Sequence, residues 1–207
     1  MFLVGLCLVG AYLLGSVPSS VWLGRAFKGM DLREHGSGNA GASNAFRVLG
    51  KAIGTLVLAL DMGKGLLAVS LSHLQQEYLP GSEAWVLLRI GLGILAVAGH
   101  IFPVFAGFRG GKGVATIAGI GLALHPFAAL AAMGVYLGVF LVSKVSALGS
   151  LSAVLSYPVW MILVFQSEYL SLRVFSIFVP ILVILTHRAN ITRLLQGREN
   201  KVFKKGG

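Results

Sequence analysis

The chain has 207 residues, of which 56% are hydrophobic and 12% charged, with a mean hydropathy of +0.84 and a formal net charge of +10. A soluble domain carries about 25% charged residues, so this composition indicates an integral membrane protein. The basic residues lie in short segments between apolar runs, which argues against nucleic acid as a partner. The single cysteine, Cys7, excludes a disulfide within one chain. No Lys or Arg precedes the first apolar run, so we expect a retained helix rather than a cleaved signal peptide.

The apolar segments predict an all-α integral membrane protein in which residues 1–207 form one polytopic domain. A membrane-spanning helix needs about 20 apolar residues. Seven segments approach this, at 2–24, 52–75, 84–105, 113–124, 126–143, 147–166 and 170–187. The fourth is short and is separated from the fifth by His125 and Pro126, where proline breaks or kinks a helix. If 113–143 were one kinked segment, six spans would remain.

The distribution of charge favours seven spans over six. With seven spans and an external N-terminus, every Lys and Arg except Lys64, Arg89 and Arg173 falls in a cytoplasmic segment or the C-terminal end. Glu77, Glu83 and Glu168 then lie outside. Basic residues concentrate on the cytoplasmic side of membrane proteins, so we expect the N-terminus outside, the C-terminus in the cytoplasm and the polar loops at the inner leaflet.

A glycine-rich segment, GFRGGKGVAT at 107–116, lies between two apolar segments. We expect Gly110, Gly111 and Gly113 to leave backbone N–H groups uncovered where a helix begins, and Lys112 to add a positive charge. The segment therefore predicts a phosphate site. It is not a nucleotide-binding P-loop, because Ala106 replaces the first glycine and Gly113 the Ser or Thr of that motif. The alternative is an ordinary flexible basic loop.

The segment DLREHGSGNAGASNAFRVLGK, at 31–51, is a second candidate anion site. Small hydroxyl and amide side chains alternate here with glycines, a combination that suits an oxyanion. A planar guanidinium follows at Arg47 and suits phosphate. The candidate binding residues in this segment are Gly36, Ser37, Gly38, Asn39, Asn44 and Arg47. The alternative is a Gly/Ser/Asn loop with no ligand.

Three smaller polar groups complete the candidates. Ser146 and Ser150 are four residues apart and would share a helix face, although serines also bond back to their own helix. His187 and Asn190 would face one way where the last span ends, with the helix continuing along the membrane surface. Asp61 and Lys64, three apart within the second span, are interpreted as a structural ion pair with no polar neighbour. No metal-binding spacing, GxSxG elbow or His-x4-Asp arrangement occurs.

Three motifs in order, GSGNAGASN, GHIFPVFAGFRGGKGVAT and HRANITRLLQGRE, resemble the bacterial membrane glycerol-3-phosphate acyltransferase family that uses acyl phosphate, called PlsY. The resemblance covers nearly the whole chain; Ser43 stands where the family usually has Thr, and the turn at 143–152 matches loosely. It implies acyl transfer from acyl phosphate to the 1-hydroxyl of sn-glycerol 3-phosphate at the inner membrane of a bacterial cell. The products would be lysophosphatidic acid and phosphate, in the first step of phospholipid synthesis, with no cofactor or metal.

We also assign roles to the candidate residues as a hypothesis. Ser37, Asn39 and the backbone at 110–113 would hold the acyl phosphate and its oxyanion. The glycerol phosphate would be bound by Arg47, Lys112, Ser150, His187 and Asn190. Either His187 or a substrate phosphate oxygen would be the general base. The alternative function is a small transporter of a phosphorylated solute, which the lack of an internal repeat and of a polar path across the membrane disfavours.

Overall fold

The computed structural model describes residues 1–202, so Lys204 and Lys205, two of the basic residues used in the topology prediction, lie outside it. Over the described residues the chain is helical and forms two compact units, one of residues 1–125 and one that begins at Pro126. We refer to them as unit 1 and unit 2. That the whole chain is one domain stays a prediction.

Unit 1 contains six α-helices: α1 (Phe2–Gly15), α2 (Ser19–Lys28), α3 (Ala42–Val48), α4 (Lys51–Ser70), α5 (Glu83–Ile101) and α6 (Val114–Leu124). Short 3-10 turns at Leu32–Glu34, Leu71–Leu74 and Val104–Ala106 connect or extend them. Pro18 follows the end of α1, and α1 and α2 meet at a bend of 41°. The two candidate site segments of unit 1, 29–50 and 102–113, follow α2 and α5, and the first of them includes α3.

The helices of unit 1 pack closely because glycines face neighbouring backbones. A Cβ at Gly15 in α1 would overlap the backbone of Ala96 in α5. In the same way, a Cβ at Gly119 in α6 would overlap Met62 in α4. Small residues at helix interfaces allow such close approach in membranes, where packing rather than the hydrophobic effect drives association. These contacts fix α6, and the loop that precedes it, to the rest of unit 1.

Unit 2 contains α7 (Pro126–Ser143), α8 (Ser146–Pro158), α9 (Leu170–Thr186) and α10 (Arg188–Leu195), and a π-helical stretch, Val159–Val164, extends α8. Pro158 stands at this change of helix type. The axes of α9 and α10 bend by 69° at His187, so the helix changes direction where the sequence predicts a surface segment. Gly149 in α8 packs against the ring and carbonyl of Tyr136 in α7.

Each of the seven predicted apolar segments is mainly helical, although the first, predicted over 2–24, is divided into α1 and α2. The break at His125 is confirmed, because α6 ends at Leu124 and α7 begins at Pro126. By length and composition, four of the described helices can cross a membrane, or up to six if each bent pair is one span. The 11 residues of α6 extend about 16 Å at 1.5 Å per residue, roughly half the hydrocarbon thickness. The all-helical membrane architecture is confirmed; a count of seven spans is not.

The predicted ion pair in α4 forms, with Lys64 Nζ 3.0 Å from Asp61 Oδ1 and both side chains buried. The expectation that nothing polar accompanies the pair is wrong. Lys64 donates to the carbonyl of Val17 at 3.0 Å, and His100 Nδ1 lies 3.8 Å from Asp61 and 3.1 Å from Thr116 Oγ1. These partners come from α5, α6 and the break after α1, distant segments that sequence spacing does not connect.

Candidate functional site

The segment at 31–47 is organised by one buried side chain, that of Asn44 in α3. Its Nδ2 donates to the carbonyls of Leu32 and His35 at 3.2 and 2.9 Å. Its Oδ1 accepts from the backbone N–H of Ser37 at 2.9 Å and from Arg47 at 3.3 Å. An amide side chain has two donors and one acceptor oxygen, so these bonds use all its polar atoms. Asn44, predicted to bind substrate, therefore positions the loop and Arg47.

Gly36 and Gly38 are required by the shape of this loop. Their φ angles are +63° and +71°, in the left-handed region that side chains disfavour. A Cβ at Gly36 would also overlap Asn44 Oδ1. Ser37, between the two glycines, is exposed, and Asn39 is half-buried with its amide close to Gly41. The loop thus carries the Ser37 hydroxyl and the Asn39 amide on a backbone that the Asn44 side chain holds in place.

The N–H groups of Gly110 and Gly111 are not uncovered, contrary to the sequence prediction. They donate to the carbonyls of Ile101 and His100 at 3.1 Å each, at the C-terminal end of α5. The physical reason is that the last carbonyls of a helix lack intrahelical donors, and this loop folds back to supply them. Close approach is what these glycines permit. A Cβ at Gly111 would overlap the imidazole of His100 and lie 2.8 Å from the carbonyl of Ala40.

Lys112 and Gly113 stand where this loop enters α6. Gly113 is the N-cap of α6, with φ of +82° and no side chain to cap the helix. The first N–H groups of a helix have no intrahelical acceptor and form an anion site with the positive end of the helix dipole. The half-buried Lys112 adds a full charge immediately before them. The start of α6 is therefore the part of this segment that still fits the predicted phosphate site, which stays a prediction.

A guanidinium that the sequence prediction missed joins the two loops of unit 1. Arg33 Nη1 donates to the carbonyls of Ala106 and Arg109 at 2.7 and 3.3 Å, while Nε and Nη2 donate to Asp31 at 3.0 and 2.7 Å. The hydrogen bond from Arg33 holds the pKa of the Asp31 carboxyl well below its usual range, against the opposing effect of burial. The same bond raises the pKa of Arg33. With the contact between Gly111 and Ala40, this places the two loops side by side.

In unit 2, Ser146 and Ser150 lie one turn apart in the first part of α8, and both are buried. The Ser146 hydroxyl is 3.0 Å from the hydroxyl of Tyr136 in α7, and Gly149 allows α8 to approach that ring. The predicted shared helix face is therefore present. Tyr136, which the sequence analysis did not single out, orients the first of the two serines.

His187 is buried at the junction of α9 and α10. Its Nδ1 lies 2.9 Å from the carbonyl of Val183 and 3.3 Å from Thr186 Oγ1. A carbonyl only accepts, so Nδ1 carries the hydrogen in this pairing. When the ring is neutral, this pairing selects the tautomer with its lone pair on Nε2.

Asn190, one turn into α10, donates to Glu199 Oε1 at 2.8 Å. The other oxygen of Glu199 accepts from Arg193 Nε at 2.7 Å. Glu199 therefore ties the segment after α10 back onto that helix. The sequence analysis did not single out this residue, although it stands at the end of the quoted motif HRANITRLLQGRE.

Within unit 1 the structure brings together Gly36, Ser37, Gly38, Asn39, Asn44, Arg47 and the 110–113 loop. Within unit 2, α8 carries Ser146 and Ser150, and the junction of α9 and α10 carries His187 and Asn190. The first group offers hydroxyl, amide and cationic donors, and the second offers hydroxyl and amide groups with an imidazole; such groups can recognise phosphate and an acyl oxyanion.

Comparison with known proteins decides between the chemistries that these groups could serve. The profile of the family described as glycerol-3-phosphate acyltransferase matches residues 5–197. The chain belongs to this family. It is 38% identical to the glycerol-3-phosphate acyltransferase of Chlorobium phaeobacteroides, with 98% of this chain and 97% of the relative covered. It is 42% identical to that of Listeria monocytogenes, with 93% of each covered.

Two solved structures resemble this glycerol-3-phosphate acyltransferase. The glycerol 3-phosphate form of PlsY (YgiH), an integral membrane glycerol 3-phosphate acyltransferase, superimposes with a TM-score of 0.84 at 36% identity, covering 97% of this chain and 96% of that one. The lysophosphatidic acid form gives 0.80 at 34% identity, covering 96% and 94%. The resemblance to PlsY drawn from the three motifs is confirmed.

Proposed function

We propose that the protein transfers an acyl group from acyl phosphate to the 1-hydroxyl of sn-glycerol 3-phosphate, releasing lysophosphatidic acid and inorganic phosphate. One observation carries the proposal: the contact of Gly111 with Ala40 sets the Lys112 loop beside the Ser37–Asn39 loop. A cation and a helix start suit a phosphate leaving group, and the neighbouring hydroxyl and amide suit the acyl oxygen. Membership of the acyltransferase family supports this reading over transport of a phosphorylated solute.

In this proposal the acyl phosphate is bound through unit 1. Lys112 and the first N–H groups of α6 neutralise its phosphate, and Ser37 and Asn39 donate to the carbonyl oxygen as negative charge develops there. Gly110 and Gly111 contribute by letting the loop close onto α5. Because acyl phosphate is a mixed anhydride with a good leaving group, positioning and charge stabilisation suffice without a covalent enzyme nucleophile.

That Arg47, Lys112, Ser150, His187 and Asn190 bind the glycerol 3-phosphate stays a prediction from the sequence, with Ser146 on the same helix face as Ser150. The 1-hydroxyl oxygen of glycerol 3-phosphate attacks the acyl carbon, the bond from that carbon to the phosphate oxygen breaks, and the hydroxyl proton leaves. The lone pair on His187 Nε2 supports that nitrogen as the acceptor of the proton. A phosphate oxygen of a substrate is the other candidate base.

We further propose seven spans, an external N-terminus and an active site at the cytoplasmic face of a bacterial inner membrane. Single cysteines in a Cys7→Ala background test this. Lys28→Cys and Asn200→Cys, both at exposed positions, should be protected from an impermeant thiol reagent in intact cells, whereas Leu79→Cys should be labelled. Labelling at position 200 from outside would refute the orientation.

The donor is tested with purified protein in detergent. We expect lysophosphatidic acid to form from palmitoyl phosphate, and not from palmitoyl-coenzyme A or acyl carrier protein, because the described polar loops are short and offer a site for a small phosphate. Arg47→Ala and His187→Ala should raise the KM for glycerol 3-phosphate more than that for acyl phosphate. Equal turnover with palmitoyl-coenzyme A would contradict the proposed donor.

A further inference from the structure

A second basic pocket lies in unit 1, lined by side chains that the proposed reaction does not use. It has a volume of about 390 Å³ and lies between α2 and the turn after α5. Its lining residues are Val21, Trp22, Arg25, Arg33, Phe105, Ala106, Gly107 and Arg109. Three of these are arginines, and none of those lining residues, all within the described part of the chain, is acidic.

The arginines of this pocket outnumber the carboxylates that pair with them. Asp31 accepts from both Arg25 Nη2, at 2.9 Å, and Arg33 Nη2, at 2.7 Å, so one carboxylate serves two guanidinium groups. The Arg33 guanidinium donates to Asp31 and to loop carbonyls, whereas the Arg25 guanidinium donates through only one of its five N–H groups, to Asp31. Arg109 is exposed, and its guanidinium makes no hydrogen bond or ion pair with another residue among 1–202; only its backbone is bonded, to Arg33 and Ala106.

Two aromatic side chains also line the pocket. Trp22 and Phe105 contact each other with ring centroids 6.4 Å apart, and their side chains are 49% and 51% exposed. Tryptophan concentrates at the headgroup level of a bilayer, where its ring is apolar and its N–H reaches water, and Phe105 adds apolar surface beside it. A free inorganic ion has no apolar part, so contact with these two rings would not stabilise its binding.

We propose that this pocket binds the phosphate headgroup of an anionic phospholipid, with Arg25 and Arg109 on the phosphate and the start of an acyl chain along Trp22 and Phe105. Basic pockets beside membrane helices recognise anionic headgroups in this way. The volume accommodates such a group, since small-ligand sites begin at about 300 Å³. The site is separate from Ser37, Asn39 and Lys112, and it does not depend on which acyl donor the enzyme uses.

Trp22 itself reports on the site. The chain has three tryptophans, so Trp85→Phe and Trp160→Phe leave Trp22 as the only one. The protein is reconstituted in nanodiscs of phosphatidylcholine that contain either brominated phosphatidylglycerol or brominated phosphatidylcholine. Bromine quenches tryptophan on contact, so the quenching as a function of mole fraction gives the relative affinity of the two lipids.

We expect a preference for phosphatidylglycerol that falls about fivefold with Arg25→Gln or with Arg109→Gln, because a basic side chain at a membrane surface contributes about that factor. Lys28→Gln is the matched control, since it removes an exposed charge from the same helix outside the pocket. Unchanged thermal unfolding of the variants in detergent shows that they fold.

Three results would overturn the proposal. One is equal quenching by the two lipids, as an ordinary aromatic belt would give. Another is a preference that survives Arg25→Gln/Arg109→Gln or falls equally with Lys28→Gln. The third is displacement of phosphatidylglycerol by millimolar inorganic phosphate, which would assign the pocket to a free anion. Acyltransferase activity is not the readout, so none of these results bears on the proposed reaction.

Discussion

Gly111 packs directly against the imidazole of His100: its N–H donates to the His100 carbonyl at 3.1 Å, and a Cβ on it would overlap Nε2. The other side of the same ring faces Thr116 Oγ1, at 3.1 Å from Nδ1. His100 is therefore held between the loop that carries Lys112 and the first turns of α6. The position of that loop depends on the absence of a side chain at residue 111.

Gly111→Ala should lose most activity, because the added methyl group must displace the loop or the buried ring. Overpacking of this kind costs about 1–3 kcal/mol. Gly134→Ala is the control, since a Cβ there meets nothing within 4 Å and alanine favours a helix. The measurements are lysophosphatidic acid formation and the thermal midpoint in detergent. Full activity of Gly111→Ala would contradict this prediction, because it would show that the loop accommodates a methyl group at this position.

Lys112→Ala should lower the rate by about two to three orders of magnitude, because a charge pair in a partly desolvated site is worth about 4 kcal/mol at most. Its thermal midpoint should stay near that of the unsubstituted protein. Lys112→Arg should recover little, since a planar guanidinium presents its donors differently from a compact ammonium. Near-normal turnover of Lys112→Ala would remove this residue from the site.

Asn44→Ala and Asn39→Ala should separate positioning from binding. Asn44→Ala leaves two carbonyls and the Ser37 N–H without their partner, which costs about 1–3 kcal/mol for each group left unsatisfied. It should lower both the thermal midpoint and the activity. Asn39→Ala should lower kcat with little change in stability. The positioning role of Asn44 would be contradicted if Asn44→Ala kept the thermal midpoint of the unsubstituted protein and only raised the KM for a substrate.

Asp61→Asn and Lys64→Met should each destabilise the protein by about 3–5 kcal/mol, because each leaves a buried charge without its partner. The double variant Asp61→Leu/Lys64→Met should recover most of that loss, less the hydrogen bond to Val17. Thr55→Ala, at an exposed position of α4, serves as the control. If the double variant folds well but is inactive, the pair has a role in the reaction and is not only structural.

Local patterns in the sequence predicted the helices, the break at His125, the ion pair in α4 and the polar loops. They could not predict which atoms the loops would meet. Glycine at 110 and 111 indicates conformational freedom, which is compatible with an exposed N–H group. In the folded chain these N–H groups instead donate to carbonyls at the end of α5. The roles of Asp31, Arg33 and Glu199 depend on contacts that form only in the folded chain. From their charge alone, all three would be predicted to be ordinary surface residues. The length of α6 was visible, but whether so short a helix crosses a membrane depends on its neighbours.

The guanidinium of Arg33 has a thermodynamic consequence for the substrates. Ordering a backbone costs about 1–2 kcal/mol of conformational entropy for each residue. By bonding to Asp31, Ala106 and Arg109 together, Arg33 completes this ordering of the two loops when the chain folds. The phosphate of the proposed substrate would then meet groups already in place, so less of its binding free energy would be lost in ordering the loops. We therefore expect little change in the backbone of the two loops when the proposed substrate binds.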